Sequence, residues 1–246
     1  MPEDQKTDWK RLAIEAVAIV ASILLAFAID AWWGELQERQ FEEETIQGLL
    51  EEYQGHQRSL AFAKQLHLRI LRAVASLITA SHRGTYESAE FDVDSAISLL
   101  KIPPTTDLGS GVRDALVSSG QIELLSNKQL RYQLAEWESV MDELIDDERT
   151  GTTIVLEIVA PYLTRHGVPN AYSEFVAAAT VDAPLDGAVR KLATDNKAMK
   201  RLFSDPEFLA ILELRYGFLA HTTFEFDRVI AEIESILIAL NGQLDD

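Results

Sequence analysis

Leu12 to Trp33 reads LAIEAVAIVASILLAFAIDAWW, and the reading of this run decides the fold. As a helix it is about 33 Å long, enough to cross a hydrocarbon core of ~30 Å. Its only ionisable residues, Glu15 and Asp30, lie near its ends, where a side chain reaches the headgroups. Trp32 and Trp33 close the run and Trp9 stands at the other edge, as in an aromatic belt. Lys6, Lys10 and Arg11 precede it, whereas Gly34 to Tyr53 holds one basic residue, Arg39, and seven glutamates. This bias predicts a cytoplasmic N-terminus over 1–11, a transmembrane helix over 12–33 and an extracytoplasmic domain over 34–246. A cleaved signal peptide is the rival, since Ala26-Phe27-Ala28 resembles a cleavage site. Against it, Glu15 sits where the apolar region should begin, and the apolar run continues past Ala28. A buried soluble helix fits less well, because few are apolar on every face over this length.

One face of the span differs from the rest. At about 100° per residue, Glu15, Ala18, Ser22, Ala26, Asp30 and Trp33 fall within one sector of roughly 120°. Ala18, Ser22 and Ala26 form a small-residue ladder that lets another helix approach closely in lipid. Glu15 and Asp30 flank it with polar groups that are costly against acyl chains. This is a face for helix contact; the plain alternative is that alanines are common and the two acids snorkel.

Beyond Trp33 there is no second span; Val229 to Leu240 is too short and is interrupted by Glu232 and Glu234. The pattern is helical. Ile46, Leu49, Tyr53, His56, Leu60, Ala63, His67, Ile70, Val74 and Leu77 step 3-4-3-4 along a segment that should end at Gly84. If this helix continues from the span through Gly34, its seam points away from the small-residue face, and only a second polypeptide can cover that face. Short helices follow over Asp92 to Ile102, stopped by Pro103-Pro104, and over Gly111 to Ser119. A long helix capped by Ser126 runs to about Arg165, with Leu130, Leu134, Trp137, Met141, Leu144, Leu156 and Tyr162 inward and a weak point at Gly151-Thr152-Thr153. Short helices are expected around Gly167, Pro169 and Pro184, up to Phe203. The last helix opens at Ser204-Asp205-Pro206-Glu207, with Ser204 as cap. Its seam is Leu209, Leu212, Tyr216, Leu219, Thr223, Phe226, Ile230, Ile233, Leu237 and Leu240. The expected fold class is all-α: one N-terminal transmembrane helix continuing into an antiparallel bundle of three long helices plus shorter ones.

The chain of 246 residues carries 22 Lys+Arg against 40 Asp+Glu, a formal charge of −18. That excludes broad contact with nucleic acid, whose affinity comes from neutralised phosphates. The absence of cysteine excludes disulfides, thiolate metal sites and a cysteine nucleophile. No Gly-x-Ser-x-Gly elbow occurs, and Asp107-Leu108-Gly109-Ser110-Gly111 lacks the lysine and spacing of a phosphate loop.

His56 and His67 share a face, with Glu52 one turn before His56, but no Glu-x-x-His pairs support a carboxylate-bridged metal. They read as histidines at the bundle's core edge. Gly48 and Gly55, one heptad apart and off the seam, read as a close approach of another helix or as tolerated neutral glycines. The Ser118-Ser119-Gly120 elbow reads as structural, with Gly120 at positive φ and Ile122, Leu124 and Leu125 inward.

Two stretches resemble a family of uncharacterised bacterial single-span membrane proteins. In the run from Glu15 to Trp33 a glutamate opens the span, Asp30 and Trp32 close it, and acidic Glu42-Glu43-Glu44 follows. Ala115 to Arg131, ALVSSGQIELLSNKQLR, contains the Ser-Ser-Gly elbow. Family members often carry glycine where this chain has Ser22. The resemblance implies topology and fold, and no activity: an inner-membrane protein with a periplasmic helical domain.

The expected function is a non-enzymatic accessory or assembly subunit of a membrane complex, with lipid and another membrane polypeptide as partners and no catalytic, cofactor or metal site. The alternative is a membrane-anchored sensor or ligand-binding helical module. With eleven residues before the span, it would have to signal through a partner.

Overall fold

The computed structural model describes residues 9–88, 91–109, 111–168 and 196–244. Lys6, Ser110 and the stretch around Pro169 and Pro184 lie outside the described residues. Every regular element among those described is helical, and no strand occurs. The order is α1 (Trp9–Arg83), α2 (Val93–Leu100), α3 (Val112–Ser118), a 3₁₀ turn (Gln121–Leu124), α4 (Lys128–Thr153), a π-helical turn (Ile154–Val159), α5 (Ala160–Arg165), α6 (Asn196–Phe203) and α7 (Pro206–Leu244).

α1 is one helix of 75 residues, about 110 Å long, and it passes through Gly34 without interruption. It contains no proline. It ends at Gly84 (φ 63°), where the Thr85 amide donates to Ala80 O at 3.1 Å, the six-to-one bond of a Schellman motif. Residues 12–33 are exposed throughout, and this part of α1 is long and apolar enough to cross a membrane. The part from Thr45 onward carries the core: all ten seam positions from Ile46 to Leu77 are buried.

The core falls into two clusters. One gathers Leu49, Tyr53, Leu134, Phe226, Ile233 and Leu240, among others. The second gathers Val74, Leu77, Leu100, Tyr162, Phe208 and Leu212 with their neighbours. α7 runs antiparallel to α4, since Gln133 meets Glu232 and Ser235, Glu143 meets Arg228, Asp147 meets His221, and Gly151 meets Arg215.

Five details of the sequence reading are corrected. The buried stripe of α7 runs one residue out of the expected register, through Phe208, Leu212, Arg215, Leu219, Thr222, Phe226, Val229, Ile233, Ile236 and Leu240. Tyr216 is 41% exposed, and Leu209, Thr223, Ile230 and Leu237 are only half-buried. Leu156 points outward: the π turn adds a residue to the helical turn, so Val155, Val159 and Tyr162 carry the buried stripe onward.

The caps also shift by one. Asn127, not Ser126, caps α4, its Oδ1 accepting from the Leu130 amide at 3.1 Å. Ser126 is held instead by α1, donating from N (2.6 Å) and Oγ (2.7 Å) to Glu42 Oε1. Asp205, not Ser204, caps α7, accepting from the Glu207 amide at 2.9 Å, while Ser204 Oγ donates back to Lys200 O. At the elbow, Gly120 is at φ 75° as expected and Leu125 is buried, but Leu124 is exposed.

Candidate functional site

The six residues expected to form a helix-contact face, Glu15, Ala18, Ser22, Ala26, Asp30 and Trp33, all lie on α1 and are all exposed. Ser22 Oγ donates to Ala18 O at 2.7 Å. The hydroxyl is thereby satisfied within its own helix, so the ladder offers a small profile rather than a free donor.

A second arrangement was not visible in the sequence. Between α2 and α3 the chain crosses the bundle as an irregular segment, 102–109, in which Ile102 and Pro104 are buried. A buried segment without regular structure must find partners for its backbone groups. Each long helix supplies one buried polar side chain for this purpose. From α1, His56 Nε2–H donates to Gly109 O at 2.9 Å. From α4, Glu148 accepts from the Thr106 amide and from Thr106 Oγ1, each at 2.7 Å. From α7, Arg215 Nη2 donates to Ile102 O at 2.8 Å, while Nη1 donates to Gly151 O at 3.2 Å.

The electrostatics of this layer follow from burial. Arg215 is 1% exposed and no carboxylate pairs with it among the described residues. Burial takes its guanidinium down to about 10, so it is still a cation at neutral pH. Burial takes the His67 imidazole down to about 4; its Nδ1–H bond to Ala63 O (3.0 Å) works against this, and the Arg215 charge works with it. Burial raises the Glu148 carboxyl, and the two Thr106 donors hold it back.

His67 Nε2 lies 3.6 Å from Glu148 Oε1, a separation open to two readings: a buried ion pair or a neutral imidazole beside the carboxyl. The neutral imidazole fits better. The separation is too long for a hydrogen bond, and both carboxyl oxygens already take Thr106 donors. Gly151 lies where a Cβ would come within 3.1 Å of Arg215 Nη1, so the helix's weak point is the space that admits the guanidinium.

The same segment forms one wall of a cleft of about 620 Å³, closed on the other sides by α1, α3 and α4. Glu52 and Arg113 organise its mouth. Gly111 precedes α3 and has no side chain to cap it, so Glu52 Oε2 accepts from the Arg113 amide at 3.1 Å. Arg113 is itself buried and donates from Nε to Leu134 O (2.9 Å) and from Nη1 to Asp114 Oδ1 (2.7 Å). Trp137 stacks parallel to the His56 ring, with 5.9 Å between centroids. Here too lies the reason for Gly48, whose Cβ would meet Val112 Cγ2 of α3 at 3.1 Å; Gly55 faces only the end of Arg58.

Of the residues singled out in the sequence, His56 reaches the cleft, His67 joins the polar layer, and His221 stays exposed 3.5 Å from Asp147. Among the described residues no three His, Asp or Glu side chains come together as a metal site. Thr106, Glu148 and Arg215 were missed by sequence reading; the one signal was an arginine at heptad spacing between Leu212 and Leu219. The chain matches no protein-family profile, no curated protein and no solved structure.

Proposed function

We propose that the chain is a single-pass inner-membrane protein that serves as a non-enzymatic accessory or assembly subunit of a membrane complex. Residues 12–33 cross the bilayer, the N-terminus lies in the cytoplasm, and the helical domain, a bundle built on α1, α4 and α7, lies in the periplasm. This reading also places the chain with the single-span family that its span and its Ser-Ser-Gly elbow resemble.

One observation carries the proposal: α1 is uninterrupted from the apolar run into the bundle, and its buried seam is already occupied by the chain's own helices. The small-residue face of the span, Ala18, Ser22, Ala26 and Trp33, is exposed and points away from that seam, so it is left to whatever meets it in the membrane. Close approach there favours a second polypeptide, because packing rather than the hydrophobic effect holds helices together in lipid.

The natural absence of cysteine gives a clean test. Ser22→Cys and Ala26→Cys should crosslink to a protein in native membranes, whereas Ala21→Cys and Leu24→Cys should not. Equal crosslinking all round, or none anywhere, would refute the assembly role. Protease added to spheroplasts should digest the chain beyond Glu35; protection of the large domain would refute the orientation.

A further inference from the structure

The cleft between α1, the 102–109 segment, α3 and α4 has properties that the assembly role does not use. Its volume, about 620 Å³, is that of a small-molecule site. Among the described residues its charges are one-sided: Glu52, Asp107, Asp114, Glu138 and Asp142 line it, against Arg113 alone. That one cation is already engaged by Asp114 and by the Leu134 carbonyl. No ion pair is made by Asp107, Glu138 or Asp142 among the described residues. Such a cleft rejects anions and concentrates cations.

An independent observation comes from the wall. His56 lines the cleft, and its side chain is 9% exposed. Its Nε2–H is held by Gly109 O, and in the tautomer this bond selects, Nδ1 carries the lone pair. That Nδ1 is a buried acceptor with no donor among the described residues. A buried acceptor left unpaired is costly, and it asks for an N–H or O–H group from outside the chain. Beside it, Trp137 and Met141 present an apolar, polarisable surface suited to a cation's carbon body.

We propose that this cleft binds a small organic ammonium. Its charge is held by Asp107, Glu138 and Asp142, an N–H is donated to His56 Nδ1, and its apolar body lies against Trp137 and Met141. Only this class satisfies all three features. A metal ion lacks a ligand set here, a neutral donor leaves the acids unmatched, and an anion meets the wrong charge. The site works whether or not the span meets a partner, so its test is separate from the crosslinking of Ser22→Cys.

The experiment is calorimetric titration of the full chain in non-ionic detergent with phenethylammonium, against phenethyl alcohol and phenylpropionate as neutral and anionic analogues. Phenethylammonium should bind saturably and with one site, weakening as salt rises. The alcohol should bind about tenfold more weakly or not at all. Glu138→Gln and Asp142→Asn, both at exposed positions, should each weaken binding about threefold while leaving the helical signal and Tm unchanged. His56→Leu should weaken the amine about tenfold through loss of the Nδ1 acceptor, while its preference over the alcohol, set by the acids, remains. Equal binding of amine and alcohol would overturn the proposal, as would titration curves unchanged in the Glu138→Gln/Asp142→Asn double variant. So would no saturable binding up to about 10 mM, a range that covers millimolar affinities.

Discussion

Replacing His67 by glutamine should remove the acid limb of this protein's stability. His67 is 2% exposed, and burial takes its imidazole down to about 4, against about 6.5 in an unfolded chain. Between those two values the unfolded chain binds a proton that the folded chain does not, so stability falls as pH falls. The interval is about 2.5 pH units, and at about 1.36 kcal/mol per unit it amounts to ~3 kcal/mol, complete near pH 4. Glutamine keeps a donor, an acceptor and a similar volume but does not titrate.

The assay is urea unfolding of the full chain in non-ionic detergent, followed by circular dichroism between about pH 7 and pH 4. The stability of the wild type minus that of His67→Gln should decrease by ~3 kcal/mol across that range. Glu148, whose carboxyl is raised by burial, favours the folded state as pH falls through its own titration, but it does so in both proteins and cancels in the difference. A difference that grows toward acid pH would refute the reasoning, because it would make His67 the cation of an ion pair with Glu148. A flat difference would show that the imidazole titrates as it does unfolded.

Three other outcomes are expected. Gly55→Ala should stabilise by about 0.5–1 kcal/mol, because nothing crowds the new methyl, whereas Gly48→Ala should gain less, because Val112 must give way at 3.1 Å; thermal melts of the two separate the cases. Asn127→Ala should cost about 1 kcal/mol in urea unfolding through loss of the α4 cap, with α4 itself still formed. Ser22→Ala should leave partner crosslinking through Ala26→Cys intact, because the serine hydroxyl already bonds Ala18 O, and Ser22→Leu should abolish it by filling the ladder.

The elements and their order were legible because apolar residues recur at helical spacing and because glycine and proline mark the ends. Gly84 and Gly120 are where a left-handed residue was expected, and the ten seam residues of α1 are all buried. The register of α7 was not legible. Five positions, Leu212, Leu219, Phe226, Ile233 and Leu240, belong to both the expected and the observed stripe, so the choice rests on the residues between them. There hydropathy prefers Tyr216 to Arg215 and does not distinguish Thr223 from Thr222. What draws Arg215 inward is the carbonyl of Ile102, 113 residues away, which no local pattern reveals. The caps were misread for a similar reason: Ser126 with Gln129 three residues on has the spacing of a capping box, but Glu42, 84 residues earlier, holds the serine. The cleft escaped sequence reading altogether, because four separate segments meet to make it.

The unbroken course of α1 makes it a shaft without a joint. Trp33 and His56 lie on the same rigid rod, about 35 Å apart along its axis. A loop at that junction would let the domain turn freely above its anchor; a helix fixes its bearing. Any partner that rotates the small-residue face about the helix axis must turn Glu52 and His56 through the same angle, and those two residues form one wall of the acidic cleft. If residues 12–33 are gripped as proposed, the direction in which the cleft opens is decided at that end of the rod.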